Sequence, residues 1–266
     1  MAAPEIELIQ FAYSHFNEKA RWALDFKKVP HRRTSLLPGP HARTVTKLTG
    51  QELVPVVRFA DAVVADSARI IDELERRYPD PPLYPADEAD KKRALEIQAW
   101  FDDEVGPCVR RSLFAVMVDH PGYLVSLFGG HKNAPTRMLY RASFPIAAGM
   151  IRKAMNIDDP EAVAAALEKT FEALEFVAKE SAETGYLVGD RFSVADLAAC
   201  ALLAPASNPP GSPMERFEPM PEAIREWTAQ FADSAGVAWV HERYRTDRPE
   251  SSAYGTLLRG GATREP

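Results

Sequence analysis

Three short stretches place side chains where they could do chemistry. Residues 12–24 read AYSHFNEKARWAL, so Tyr13-Ser14-His15 stands between the apolar run IELIQF and a segment of helical periodicity. A polar residue at that turn serves as an ordinary N-cap, or the bare helix N-terminus behind it holds something anionic. Val54-Pro55 interrupts the apolar run LVPVVRF. Proline lacks a ladder donor and suits a strand's first position or a turn. With a cis bond it leaves the backbone N–H and C=O of Val54 to an extended peptide ligand. Asp66-Ser67 precedes an amphipathic segment. It is either a cap, or a carboxylate and a hydroxyl that grasp an amino-acid head group: Asp66 takes the ammonium, Ser67 and free backbone N–H groups the carboxylate. Neighbours in a turn lack triad geometry, so Ser14 and His15 do not read as a hydrolase pair.

Other candidate chemistry is weak. Histidines 15, 31, 41, 120, 131 and 241 show no i, i+4 pairing and no acidic companion at ligand spacing, so no metal site is expected. Cys108 and Cys200 form no C-x-x-C and read as small buried apolar residues. Ser193-Val194-Ala195-Asp196 is an S-x-x-D box whose Asp196 returns to the Ser193 N–H; it nucleates a buried helix.

The elements that position these residues follow from periodicity. Strands are expected over 6–11, 31–35, 53–59 and 62–65, and helices over 16–27, 42–48 and 67–78, in the order β-α-β-α-β-β-α. The connection at Ala60-Asp61 is so tight that 53–59 and 62–65 must form an antiparallel hairpin. Beyond residue 88 the strand signal disappears, and segments such as ADKKRALEIQAWFDDEV and PEAVAAALEKTFEALEFVAKESA carry helical spacing. Gly106-Pro107 is expected to kink the first long helix. The fold class is therefore an α/β N-terminal domain (1–79), a linker over 80–90 stiffened by prolines, and an all-α domain (91–266). The latter contains the proline-rich loop NPPGSPMERFEPMP at 208–221 and a polar, loosely ordered tail after Thr246.

Composition narrows the function. The 266 residues are 46% hydrophobic and 26% charged, which matches a soluble globular protein. A net charge of −6 gives no basic footprint, so nucleic acid is not an expected partner. The start, MAAPEIELIQF, has no basic region and carries Glu5 and Glu7, unlike a signal peptide, and no apolar run is long enough to span a membrane. A cytoplasmic protein without membrane attachment is expected.

In this order and spacing, the motifs together resemble the cytosolic glutathione transferases, over about residues 5–240. The active turn is closest in pattern to the omega and zeta types, but carries serine. The resemblance implies a thioredoxin-like glutathione-binding first domain, a helical second domain that shapes a pocket for the electrophile, a homodimer, and no metal. Aligning E-K-A-R-W-A-L with the family's first helix puts Ser14 at the catalytic position, with Tyr13 and Asn17 as rivals for the sulfur. Phe16 is then beside the thiol and Val54-Pro55 pairs with the cysteinyl backbone. Asp66 and Ser67 hold the γ-glutamyl end, and His41 (alternatively Arg43) reaches the glycyl carboxylate. Tyr13, Trp100, Arg110 and Phe114 are candidates for the electrophile pocket; the competing reading of each is core packing or a solvated basic face. The implied activity is attack of glutathione thiolate on a small, largely apolar electrophile by conjugation, isomerisation or thiolytic cleavage, as in detoxification. A non-catalytic member of the fold that binds a protein partner, and an enzyme using another small thiol, are the alternatives.

Overall fold

The computed structural model describes residues 6–254. The first domain runs β1 (Glu7–Gln10), α1 (His15–Phe26), β2 (His31–Ser35), α2 (His41–Thr49), β3 (Val56–Arg58), β4 (Val63–Ala65) and α3 (Ser67–Arg77). β1 lies parallel to β2 and antiparallel to β3, and β3 and β4 form the expected antiparallel hairpin. The strand period of two divides the side chains between two faces. Leu8 and Val57 join the main core with Trp22 and Leu24 of α1 and with Ile70, Ile71 and Leu74 of α3. Ile9 and Val56 meet Val45 of α2 in a small cluster on the other face.

The helical part comprises α4 (Glu88–Trp100), a π-helical stretch (Phe101–Val105), α5 (Gly106–Met117), α6 (Pro121–Gly129), α7 (Ala134–Met155), α8 (Pro160–Glu180), α9 (Val194–Ser207), α10 (Glu222–Ala229) and α11 (Ala235–Thr246). At Gly106-Pro107, where a kink is expected, a π-helical stretch stands just before the pair. Pro107 has no N–H to offer the preceding turn, and the backbone widens there. α9 is apolar all round and buried along its whole length, as suits a helix in the middle of a core. Its capping box forms as the sequence indicates: Ser193 N donates to Asp196 Oδ2 at 2.9 Å, and Leu187 N donates to Asp196 Oδ1 at 2.8 Å.

Two expectations are corrected. Residues 247–254 of the expected loose tail are fixed in the fold: Ala253–Tyr254 form β5, parallel to β2, so the sheet order is β4-β3-β1-β2-β5. The strand signal therefore does not end at residue 88. The side chain of Arg248, 7% exposed, lies between the buried carboxylates of Glu18 (2.8 Å) and Asp25 (2.9 Å), which anchor it to α1. The part of the expected tail from residue 255 on lies outside the described residues. Cys200 is buried as expected but Cys108 is only half-buried, and burial pushes both thiols up from their ordinary range. No described helix is long and apolar enough to cross a membrane.

Candidate active site

α1 begins at the polar turn, and its N-cap is Ser14, extended at φ −143° and ψ 127°. The Ser14 carbonyl accepts the Glu18 N–H at 2.8 Å, but the Ser14 hydroxyl makes no capping bond. This sets α1 apart from six other helices, where Asp66, Asp87, Asn133, Asp159, Ser193 and Ser234 each spend a side-chain oxygen on the first turn. The Ser14 oxygen is thus left beside the positive end of the α1 dipole.

The turn is held by residues whose importance the sequence did not announce. Arg21, fully buried, points back along α1. Its guanidinium donates to Glu18 Oε2 (2.6 Å), Gln10 Oε1 (2.9 Å) and the Ala12 carbonyl (3.1 Å). These charge-assisted bonds fix the backbone just ahead of Ser14. Glu18 and Arg21 are two of the three charged residues of EKARWAL, with Lys19, and a charged i, i+3 pair on the inner face of a helix was the available signal. From the other side, the Tyr13 hydroxyl donates to the Glu215 carbonyl at 3.2 Å, so the proline-rich loop 208–221 closes on the turn. Lys19, fully buried, reaches Asp102 Oδ2 at 2.5 Å and ties α1 to the π-helical stretch.

His15 has a structural position. Its Nε2 lies 3.1 Å from the Gly106 carbonyl, which can only accept, so Nε2 carries the proton. Burial, reinforced by the positive charge of Arg110, pushes its pKa down to about 3, and the ring is neutral. Asn17 is fully buried and does not line the cavity beside Ser14.

Ser14, Tyr13, Phe16, His41, Val54, Arg110 and Phe114 come together on one cavity of about 160 Å³ between the sheet and helices α5–α7. Phe128, Tyr140 and Phe144 add aromatic surface to it. The Val54-Pro55 bond is cis, one of the geometries the sequence left open. The His41 ring is half-buried: Nδ1 accepts from Gly39 N at 3.0 Å, and the edge packs on Phe11 with centroids 4.6 Å apart. Burial lowers its pKa.

Pro55, Asp66 and Ser67 lie next to this wall without lining it; Asp66 N donates to the Pro55 carbonyl at 3.2 Å. Asp66 Oδ1 accepts the Ala68 and Arg69 N–H groups, so those donors are not free as the head-group reading had them. Trp100 does not belong to the cavity. It packs edge-on against Phe176 of α8, with centroids 4.9 Å apart. Its local aromatic spacing gave no hint of which helix face would turn outward. Among the described residues no group of three or more His, Cys, Asp or Glu side chains is arranged to hold a metal ion.

Comparison with known proteins agrees with this arrangement. Residues 8–82 match the family model for the glutathione S-transferase N-terminal domain, and residues 139–234 the model for the C-terminal domain. A maleylpyruvate isomerase from Ralstonia is 30% identical over 132 residues, 48% of this chain and 59% of that protein. Glutathione S-transferase 1 from Dianthus caryophyllus is 36% identical over 98 residues, 36% of this chain and 43% of that protein. The chain thus aligns with only about half the length of these curated relatives. A glutathione S-transferase from Methylobacterium radiotolerans, solved with glutathione sulfonate, superposes with a TM-score of 0.59 at 20% identity, covering 96% of this chain and 97% of that one; at that identity the likeness speaks for the fold. With both domain models matched in order on a thioredoxin-like domain followed by a helical one, the chain belongs to the cytosolic glutathione transferase family.

Proposed function

We propose that this protein is a glutathione-dependent transferase in which Ser14 stabilises the glutathione thiolate. The observation that carries the reading is the Ser14 hydroxyl, unspent on its own helix and set on the wall of an apolar cavity. A thiol with a pKa of about 8.5 is mostly protonated at neutral pH, and the thiolate is the nucleophile. A hydroxyl that donates to sulfur at a helix N-terminus favours the thiolate by about 1–3 kcal/mol, or one to two pKa units. The Arg110 guanidinium on the same cavity adds a positive field in a poorly solvated place. Ser14 acts as a donor and not as a base; neutral His15, bonded to Gly106, keeps the turn in place.

The peptide part of glutathione is proposed to run along Val54-Pro55 toward Asp66 and Ser67, with His41 near the glycyl end. Phe16 and Phe114 would face the sulfur and the electrophile. The thiolate donates its electron pair to an electrophilic carbon, and the displaced pair leaves with a departing group or is protonated on the acceptor. Which of conjugation, isomerisation or thiolytic cleavage follows depends on the acceptor.

Titrating the protein with glutathione while following heat or tryptophan fluorescence tests the reading. Saturable binding in the millimolar range or tighter is expected, and its absence contradicts the proposal. We also propose a homodimer. The support is apolar side chains left in solvent: Leu53 on the rim of the first domain, and Met138, Leu139, Ile146 and Met150 along α7, each at least 65% exposed.

A further inference from the structure

A smaller annex of about 40 Å³ adjoins the main cavity and shares Tyr13, His15, Arg110, Phe114 and Phe128 with it. Its polar wall is two guanidinium groups, Arg110 from α5 and Arg216 from the loop 208–221. Neither has a carboxylate partner among the described residues. Arg216 is 6% exposed. Its Nη1 donates to the Pro205 carbonyl at 2.7 Å and its Nη2 to Thr228 Oγ1 at 2.6 Å, both neutral acceptors. Its Nε is buried and unpartnered. Arg110 has a buried, unpartnered Nε as well, and its guanidinium stands over the Phe16 ring at 5.9 Å from the centroid. The remaining polar groups are phenols and the neutral His15. The cavity's one acid, Glu52, is an exposed residue of the segment before Val54, and it is not part of the annex.

Buried cations are normally paired, because an uncompensated one costs several kcal/mol. Elsewhere in this protein that rule holds: Arg21, Arg33 and Arg248 all face Glu18 or Asp25. Burial without an anion lowers Arg110 and brings Arg216 down to about 10, both still charged at neutral pH. Two guanidinium groups that line one small aromatic cavity, neither paired with a carboxylate among the described residues, therefore describe half of a recognition site. The annex has room for a group of a few heavy atoms, since one water needs roughly 10–15 Å³. A planar carboxylate matches a guanidinium bidentately.

We infer that the annex between Arg110 and Arg216 is a carboxylate subsite, and that the electrophile is an apolar, planar or aryl compound bearing a carboxylate. The inference rests on the proposed transferase reading for the word electrophile, but the subsite itself is independent of thiol chemistry. The carboxylate enters the annex, the apolar body lies along Phe114 and Phe128, and the reactive carbon remains toward Ser14.

Binding of cinnamate and of methyl cinnamate, two probes that share the aryl body and differ in the charge and one methyl group, tests it on the full chain with and without glutathione. The acid is expected to bind at least tenfold tighter than the ester. Arg110→Gln and Arg216→Gln should each bring the two within about threefold, and in Arg216→Gln, which lies away from the Ser14 turn's thiolate field, glutathione affinity should stay within twofold. Arg216→Lys, which keeps the charge if the glutamine variant misfolds, should retain part of the preference. Equal binding of acid and ester by the unmodified protein, or an acid preference that survives Arg110→Gln, overturns the inference. Loss of glutathione binding with the acid preference intact would instead overturn the transferase reading and leave the subsite standing.

Discussion

At Gly106 a methyl group would sit 2.8 Å from Phe16 Cζ and 3.1 Å from the Phe101 carbonyl, so glycine is what lets α5 approach the active turn. Alanine is the better helix former by about 1 kcal/mol, but overpacking costs about 1–3 kcal/mol and the Phe101 backbone cannot give way. Gly106→Ala is therefore expected to lower stability by about 1 kcal/mol in a denaturant titration, and to reduce turnover more than that loss implies, because Phe16 is what moves. The buried histidines predict a pH dependence. His15 is pushed down to about 3 and His31 to about 4, both mainly by burial. In the unfolded chain each binds a proton below about 6.5. Between pH 6.5 and 4 the unfolded state thus holds more protons, and stability falls with falling pH by up to about 1.4 kcal/mol per unit for each histidine. Asp196, raised to about 6 by burial, works the other way between its unfolded value and 6, and offsets one of the two. Urea midpoints measured from pH 7 to 4 should show a net decline that is shallower in His31→Gln; a flat profile would contradict this.

The element that most changes the picture is the segment after α11. Arg248 neutralises Glu18 and Asp25, both fully buried, and burial alone would push those carboxyls up; the arginines hold them below the ordinary range. Removing one member of a buried ion network leaves its partners uncompensated, at about 3–5 kcal/mol. Arg248→Ala should cost that much, and because Glu18 also holds Arg21, glutathione affinity should fall with stability. An unchanged midpoint would show that the segment is ornamental. None of this was legible in the sequence, because Arg248 meets Glu18 across 230 residues and two-residue β5 has no periodicity to read. What was legible is local: β2 was read to the residue at His31–Ser35, and the order β-α-β-α-β-β-α follows from alternation and helical spacing. At the candidate site, the polar turn that holds Ser14 and the proline that follows Val54 were readable because a turn and a proline are local events. The burial of Arg216 was not readable from a proline-rich loop, and Trp100 packs away from the cavity because aromatic spacing does not say which neighbour a helix will have.

At the scale of the whole molecule, the cavity is built jointly: the sheet domain supplies Ser14, Phe16 and Val54, and the helical domain supplies Arg110, Phe114 and Tyr140. The exposed α7 residues lie on the outer side of that helical wall. If they meet a second copy, Ile146→Glu with Met150→Glu should convert a dimer to a monomer in analytical ultracentrifugation while the single-chain fold, followed by circular dichroism, persists. A monomeric unmodified protein would refute the homodimer. The central claim concerns the sulfur, and the ultraviolet thiolate band of bound glutathione, titrated against pH, reports on it directly. The unmodified protein should show a thiol pKa about one to two units below the free value near 8.5, and Ser14→Ala should return it to within a few tenths of that value. A bound thiol that ionises identically in both proteins would contradict the role assigned to Ser14.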